Sequence, residues 1–383
     1  MDPLLAWRAR FPSVEGVLYF ASHTLGAMPA DVEAALQEYA TAWGTRGVRA
    51  WEERWMRLPQ DVAGSVEGLI QAESGSVSLH PNVTVAQAVA LSCLEFAPER
   101  NRVVCTAEDF PSLLYLYEGL ERRGAEIVRV APREGHRIDE ADLLAAIDER
   151  TAFVAASHVL FRTSQLLDLA PILARAREVG ALSMVDAYQS VGIVDVDVRA
   201  LAPDFLTGGG IKWLCGGPGT GYLYVSPRVH ARLQPALTGW FAHEAPFAFD
   251  AGPHRLHAGE RRFWNGTPCI PAYLAARPGF AIAAEMGGEA LREKSLRLTG
   301  KLLALADELG LRVASPREES RRGGTVCLDV PHAERVCARL LAEDVLLDHR
   351  PGVGIRLAPH HYTRDDEVDE VMLRVRRAVD AER

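Results

Sequence analysis

Residues 204–225 read Asp-Phe-Leu-Thr-Gly-Gly-Gly-Ile-Lys-Trp-Leu-Cys-Gly-Gly-Pro-Gly-Thr-Gly-Tyr-Leu-Tyr-Val. Lys212 sits between two glycine clusters. Elsewhere the chain relies on arginine: of 42 basic residues only Lys212, Lys294 and Lys301 are lysines. Such a chain would place arginine at a salt bridge or a phosphate contact. An amine kept here points to chemistry a guanidinium cannot perform, that of a nucleophile with a tunable pKa. The flanking glycines let a ligand approach the backbone closely. A lysine in a tight turn is the plainer reading of the same residues. Lys294 and Lys301 lie in a polar, helix-like stretch, where a solvated surface accounts for them.

Upstream of this stretch, strand and helix patterns alternate. Strands are predicted at 102–106, 126–130, 152–156 and 182–185, the last ending at Asp186. Phe205-Leu206 leads into the lysine loop and a strand at 222–225 follows it. Helices are predicted at 112–123, 140–147 and 169–179. The alternation predicts a mostly parallel sheet with helices on both faces, an α/β fold. Ligands bind such sheets at the carboxyl ends of strands, where Ser157, Asp186 and Lys212 fall.

Nearer the N-terminus, 17–20 is a short strand in an otherwise irregular arm. Residues 30–72 predict two helices, with Trp51 and Trp55 on one face as core residues. A strand at 77–79 feeds an apolar helix at 85–94 through Asn82-Val83-Thr84. That turn is a place for a phosphate at a helix N-terminus, and equally a plain N-cap. Residues 226–275 are irregular and rich in Pro, Gly, His and aromatics, a length that usually signals function. Helical pattern returns at 272–309 and 333–342, with strands at 325–330 and 354–357 and a last helix at 365–379. The expected organisation is an N-terminal arm (1–30) packed with a small α+β domain (276–383), and a large α/β domain (31–275).

A net charge of −9 argues against nucleic acid or an anionic membrane as partner. The cysteines at 93, 105, 215, 269, 327 and 337 form no CxxC pair, which fits reduced thiols in the cytoplasm rather than disulfides or a zinc site. No signal-peptide pattern and no long apolar run is present. Gly216 to Gly221 lacks the GK[ST] ending of a phosphate-binding loop for nucleotides and precedes a strand. No HExxH or CxxC/H set suggests a metal.

A glycine-flanked lysine, an aspartate ending a strand 26 residues earlier, and a phosphate-sized turn at Val83-Thr84 make a set. It is the set pyridoxal 5'-phosphate needs: a Schiff-base lysine, a carboxylate on the pyridinium nitrogen and an anion cup. The carboxylate keeps the ring protonated and therefore electron-accepting. Taken alone, Asp186 reads equally as a helix N-cap.

These residues resemble the class V aminotransferase superfamily of pyridoxal-phosphate enzymes, and within it most the kynureninases. The resemblance runs over nearly the whole chain: Tyr19 to Gly26, Trp43-Gly44 and the 51–59 segment, Val83-Thr84, Phe110-Pro111-Ser112, Ser157-His158-Val159 with Thr163 and Asp168, Asp186, Lys212, Gly239-Trp240-Phe241, Arg262 to Pro268, and Arg356 to Pro359. It implies the fold of class V (fold type I) pyridoxal-phosphate transferases and a homodimer with shared sites. It implies that Val83, Thr84 and Trp240 bind the cofactor phosphate, with Thr267 reaching the phosphate of the neighbouring subunit, and that Ser112 is a further cofactor-binding residue. Phe110 would stack on the ring. Gln189 and Ser157 would position ring or phosphate oxygens. Arg356 would grip the substrate α-carboxylate, a bidentate task that suits arginine.

Three departures bear on the reaction. Kynureninases carry a tyrosine just before the lysine, where this chain has Ile211. Their FPTD motif ends in aspartate, where this chain has Leu113. Their histidine three residues after the cofactor aspartate is Gln189 here, as in cysteine desulfurases. No cysteine lies in 340–355, where a desulfurase would carry its nucleophile. The expectation is an enzyme acting on a small α-amino acid with kynureninase-like cleavage of a Cβ–Cγ bond. Transamination, β-elimination and epimerisation are the alternatives within the family. A cofactor-binding protein with little catalysis is the alternative outside it, and the retained lysine, aspartate and arginine speak against that.

Overall fold

The computed structural model describes residues 2–382. Two short 3-10 turns, Pro3–Arg10 and Pro12–Val14, lead to β1 (Leu18–Tyr19), so the arm is more regular than its sequence suggests. The next elements are α1 (Asp31–Arg46), α2 (Leu58–Leu69), β2 (Val77–His80), α3 (Val83–Leu91), β3 (Arg102–Thr106), α4 (Pro111–Gly119), β4 (Glu126–Val130), α5 (Glu140–Ala145), β5 (Thr151–Ser157), α6 (Leu169–Glu178) and β6 (Leu182–Asp186). Then come α7 (Val198–Leu201), β7 (Phe205–Gly209), β8 (Gly221–Val225) and α8 (Pro227–His230). The chain closes with α9 (Ile270–Met286), α10 (Gly288–Glu308), β9 (Arg312–Val313), β10 (Val326–Asp329), α11 (Ala333–Ala342), β11 (Val345–Leu346), β12 (Asp348–Arg350), β13 (Gly354–Leu357) and α12 (Asp365–Ala381).

The central sheet has the order β2-β8-β7-β6-β5-β3-β4. From β7 to β4 its neighbours are parallel, while β8 runs antiparallel to both β7 and β2. Successive residues of a strand point to opposite faces, so helices on both sides require apolar residues at both parities. In β3, Val104 packs into the core on one face, and Val103 and Cys105 into the core on the other. In α6, Leu169, Ile172, Leu173 and Ala176 repeat at helical spacing and pack into the first of these cores.

The small unit is a four-stranded antiparallel sheet, β12-β13-β10-β9, covered by α10, α11 and α12. The arm joins it: β1 pairs in parallel with β11, and Phe20 lies in its core. Helix α9 crosses the 275/276 position expected to divide the domains. Its residues Ile270, Tyr273, Leu274, Ala276 and Phe280 pack into the large core with α1 and α2, so the division between the cores falls after α9. Trp51 and Trp55 do share a face, with rings 5.2 Å apart, but in a π-helical turn rather than an α-helix.

Lys294 corrects a sequence expectation. It is buried on the inner face of α10, beside Leu291 and Leu298, rather than solvated. Its Nζ donates to the His361 carbonyl and lies 2.9 Å from Asp2. Lys301 is half-buried and reaches Asp369 at 2.8 Å.

Candidate active site

A cavity of about 260 Å³ opens at the carboxyl ends of the parallel strands, lined by Lys212, Asp186, Ser157, Gln189, Phe110, Val83 and Arg356. Parallel strands end on the same edge, which is why residues 83 to 212 converge there. Arg356 comes from β13 of the small sheet, so the cavity lies where the two cores meet.

Lys212 follows β7 in a loop gripped from two sides. The Gly26 N–H donates to the Ile211 carbonyl at 2.8 Å. A Cβ on Gly26 would stand 2.1 Å from the Lys212 carbonyl oxygen, so only glycine lets the arm lie against the loop. A Cβ on Gly209 would stand 2.6 Å from the Tyr188 ring. The Lys212 Nζ is 4.5 Å from the centre of that ring and 5.8 Å from the centre of the Phe110 ring. Burial pushes the Lys212 pKa down to about 7; Asp186 opposes the shift, and Arg356 and Arg350 add to it. The amine is therefore available as a nucleophile near neutrality.

Asp186 ends β6, and its Oδ1 accepts the Tyr188 N–H at 2.9 Å. Burial raises its pKa to about 6, against the Tyr188 hydrogen bond and the nearby Lys212. Beside it on β5, Ser157 donates from both N–H and Oγ to Asp109, at 3.0 and 2.6 Å. The Gln189 side chain bridges two elements: Nε2 donates to the His23 carbonyl at 3.1 Å, and Oε1 accepts the Trp213 indole N–H at 3.0 Å. Phe110 packs edge-on against Phe161, with ring centres 5.1 Å apart.

Arg356 is buried and held by Asp348 through Nε (2.7 Å) and Nη2 (2.6 Å), while Nη1 donates to the Phe161 carbonyl. A guanidinium has five N–H groups, and these bonds use three, leaving one hydrogen each on Nη1 and Nη2. Asp348 also receives Thr24 Oγ at 2.7 Å, meets His23 Nε2 at 2.8 Å and lies 3.1 Å from Arg350. Burial alone would raise the Asp348 pKa, but hydrogen bonds from His23 and Arg356 hold it well below the usual carboxylate range. Sequence reasoning missed Asp348. Its one signal is the hairpin register, which sets Asp348 opposite Arg356 on adjacent strands.

His23 lines the cavity. Burial lowers its pKa to about 3, so it is neutral at physiological pH. His360 and His361 are buried against the arm, with His360 Nε2 2.8 Å from the Trp213 carbonyl. Ile211 and Leu113 both line the cavity and make an apolar wall with Val159 and Phe161.

Four expected cofactor residues lie outside the lining. Thr84 is in the first turn of α3, and Ser112 in the first turn of α4. Trp240 is exposed and stacks on Phe249 at 5.6 Å; Thr267 is exposed in the loop before α9. Asn82 caps α3 by accepting the Val85 N–H at 3.0 Å, and the helix it caps begins at Val83, which lines the cavity. An amine free near neutrality, a buried carboxylate beside it, aromatic rings nearby and a helix N-terminus fit pyridoxal phosphate. No group of three metal-ligating side chains occurs among the described residues, and none of their helices is long and apolar enough to cross a membrane.

The family model described as aminotransferase class-V matches residues 18–362. A kynureninase of Burkholderia pseudomallei (strain 1106a) is 31% identical over 399 residues, covering 100% of this chain and 94% of the relative. A kynureninase of Deinococcus radiodurans is 32% identical over 362 residues, covering 91% and 86%. Among solved structures, the apo cysteine desulfurase of Thermococcus onnurineus NA1 superposes with a TM-score of 0.87 at 21% identity, covering 100% and 99% of the two chains. The cystine C–S lyase C-DES, in complex with its product cysteine persulfide, gives 0.85 at 20% identity, covering 96% and 99%.

Proposed function

The chain belongs to the aminotransferase class-V family of pyridoxal-phosphate-dependent enzymes, and on that premise we propose that it removes the α-proton of an α-amino acid and continues by kynureninase-like cleavage of a side-chain Cβ–Cγ bond. The observation that carries this reading is the meeting of Lys212, Asp186 and Arg356 at one cavity. When bound, the cofactor supplies an electron-accepting ring in conjugation with the substrate Cα. The remaining work falls to the chain. Lys212 holds the cofactor, then as a free amine takes the α-proton on Nζ; its depressed pKa suits it to that step. Asp186 would sit at the ring nitrogen and keep it protonated. Phe110 would cover one ring face, and Gln189 and Ser157 would orient ring or phosphate oxygens. The start of α3 at Val83 and Thr84, with Trp240, would bind the phosphate, and Ser112 would belong to the same site. Thr267 of a second subunit would complete that site in a homodimer.

Arg356 offers its two remaining end-on hydrogens to the α-carboxylate, aimed by Asp348. The apolar wall of Leu113, Ile211, Val159 and Phe161 suits an uncharged, aryl-sized side chain, and the water that adds to its γ-carbonyl enters from the open side of the cavity. The same wall lacks the phenol and carboxylate that kynureninases carry, so L-kynurenine is a slow substrate. A cysteine desulfurase reading has no nucleophile: Cys337 and Cys327 are buried, and 340–355 holds no cysteine. The test pairs turnover of L-kynurenine and 3-hydroxykynurenine with exchange of α-deuterium from a panel of amino acids into water. Exchange for some amino acid is expected. Its absence for every one would overturn the enzyme reading.

A further inference from the structure

Behind Asp186 stands a second carboxylate that the proposed reaction does not use. Asp109 is buried in the turn between β3 and α4. The hydrogen bonds it receives come from neutral donors, among them Thr106 N–H at 2.9 Å, Ser157 N–H at 3.0 Å and Ser157 Oγ–H at 2.6 Å. No cation pairs with it among the described residues. Ser157 ends β5 and stands in register with Asp186 at the end of β6. The Ser157 hydroxyl thus lies between the two carboxylates, and each is close enough to the other for like-charge repulsion to be felt at Asp186.

We propose that Asp109 is a positioning residue of the cofactor site, its charge acting across the Ser157 hydroxyl to strengthen the hold of Asp186 on the proton of the pyridine nitrogen. This rests on the reading that Asp186 faces that nitrogen. A negative neighbour makes Asp186 a better proton acceptor, because spreading a second charge into a buried space is unfavourable until one is neutralised. The ring proton is the charge that neutralises it. Burial raises the pKa of both carboxyls, and at Asp109 the hydrogen bonds from Ser157 and Thr106 oppose the shift and favour the charged form. The other ionisable groups facing the pair are Cys105 on β3, Tyr117 on α4, Tyr188 after β6, Lys212 after β7 and Tyr222 on β8. Burial holds the Cys105 thiol and the three phenols in their neutral forms, leaving Lys212 as the one nearby cation when protonated. A plain structural reading, in which Asp109 only ties the Thr106–Phe110 turn, predicts no directed effect on Asp186.

The experiment reads the cofactor, not the turnover. Holoenzyme is loaded with ring-¹⁵N pyridoxal phosphate, and the ring-nitrogen shift and its bound proton are followed by NMR at pH 8 and along a pH series. Asp109→Asn removes the charge with little change of shape. It is expected to move the nitrogen signal toward the neutral-pyridine value, with proton affinity down about tenfold, one pH unit. Ser157→Ala removes the hydroxyl that screens the two charges from each other, and should move the signal the opposite way. Asp109→Glu keeps the charge and should stay near wild type. Equal shifts in wild type and Asp109→Asn, or Asn and Ala variants moving together, would overturn the proposal. Should Asp109→Asn fail to fold, a Ser157→Ala shift toward neutral pyridine would do the same. Asp186→Asn separates the layers: if it too leaves the nitrogen unmoved, the placement of Asp186 falls and this inference with it; if it moves the signal and Asp109→Asn does not, only the inference falls.

Discussion

Asp348 takes the side-on edge of the Arg356 guanidinium, Nε to Oδ1 at 2.7 Å and Nη2 to Oδ2 at 2.6 Å, while Nη1 donates to the Phe161 carbonyl. The two residues lie opposite each other on β12 and β13. The same carboxylate gathers His23 and Thr24 from the arm and Arg350 from its own strand. One side chain therefore joins the arm, the small sheet and the wall of the cavity.

Asp348→Asn should weaken substrate binding more than turnover. Losing a charged hydrogen-bond partner of Arg356 is worth about 1.5–3 kcal/mol, so kcat/KM falls on the order of 10–100-fold, mainly through KM. Breaking a buried ion pair also costs about 3–5 kcal/mol of stability. The Asp348 carboxyl titrates below its unfolded value. Its contribution is therefore complete above about pH 4 and is lost as pH falls through the lower folded value. Urea midpoints of wild type and variant should differ at pH 7 and converge in acid. Parallel curves down to pH 2 would contradict this.

Lys212→Ala should abolish the visible absorbance that the cofactor gains on linkage to lysine. Lys301→Ala should leave it unchanged. Lys294→Ala should leave it too, yet lower the melting temperature, because it removes the donor to the buried His361 carbonyl and leaves Asp2 with Arg297 as its remaining cation. An Ala variant at 294 or 301 without the absorbance would mean that the cofactor lysine is misassigned.

In the apoenzyme, Lys212 should react with an amine-directed reagent half-maximally near pH 7, since burial disfavours its ammonium form and the free amine predominates above about that pH. Peptide mapping by mass spectrometry across a pH series gives the midpoint. A midpoint near that of a free lysine, about 10.4, would show the site to be wetter than its geometry implies.

Ile211→Tyr should raise the cleavage of L-kynurenine, and Ile211→Tyr with Leu113→Asp should raise it further. A positioned general acid is worth about 10²–10⁴-fold. Steady-state release of the aryl product measures it. Wild-type turnover already within about 1–10³ s⁻¹ would mean that the apolar wall does not limit this reaction.

The lysine loop, the strand-ending Asp186 and the Val83-Thr84 turn were legible as residues because local sequence marks each of them, whereas Arg356 came only from the family resemblance. Glycines on both sides of one lysine, and a polar turn between a strand and a helix, are short-range signals. So were most strands and helices, since burial on two faces or one leaves a period in the chain. The packing of α9 with the large core was not legible, because its apolar residues suit either core and only the contacts decide. Lys294 was misread for a similar reason: a polar stretch does not say which face of α10 turns inward.

What the sequence by itself determined is the set of chemical groups and the alternating order of elements that brings them to one sheet edge. What only the tertiary structure decided is how those groups bear on one another. Asp348 meets Arg356 through hairpin register, and Asp109 accepts the Ser157 hydroxyl across 48 residues of chain. The Lys212 pKa falls because the folded chain removes water from around it. Charge, hydrogen bonding and desolvation act through space, and spacing along the chain does not encode distance in the fold.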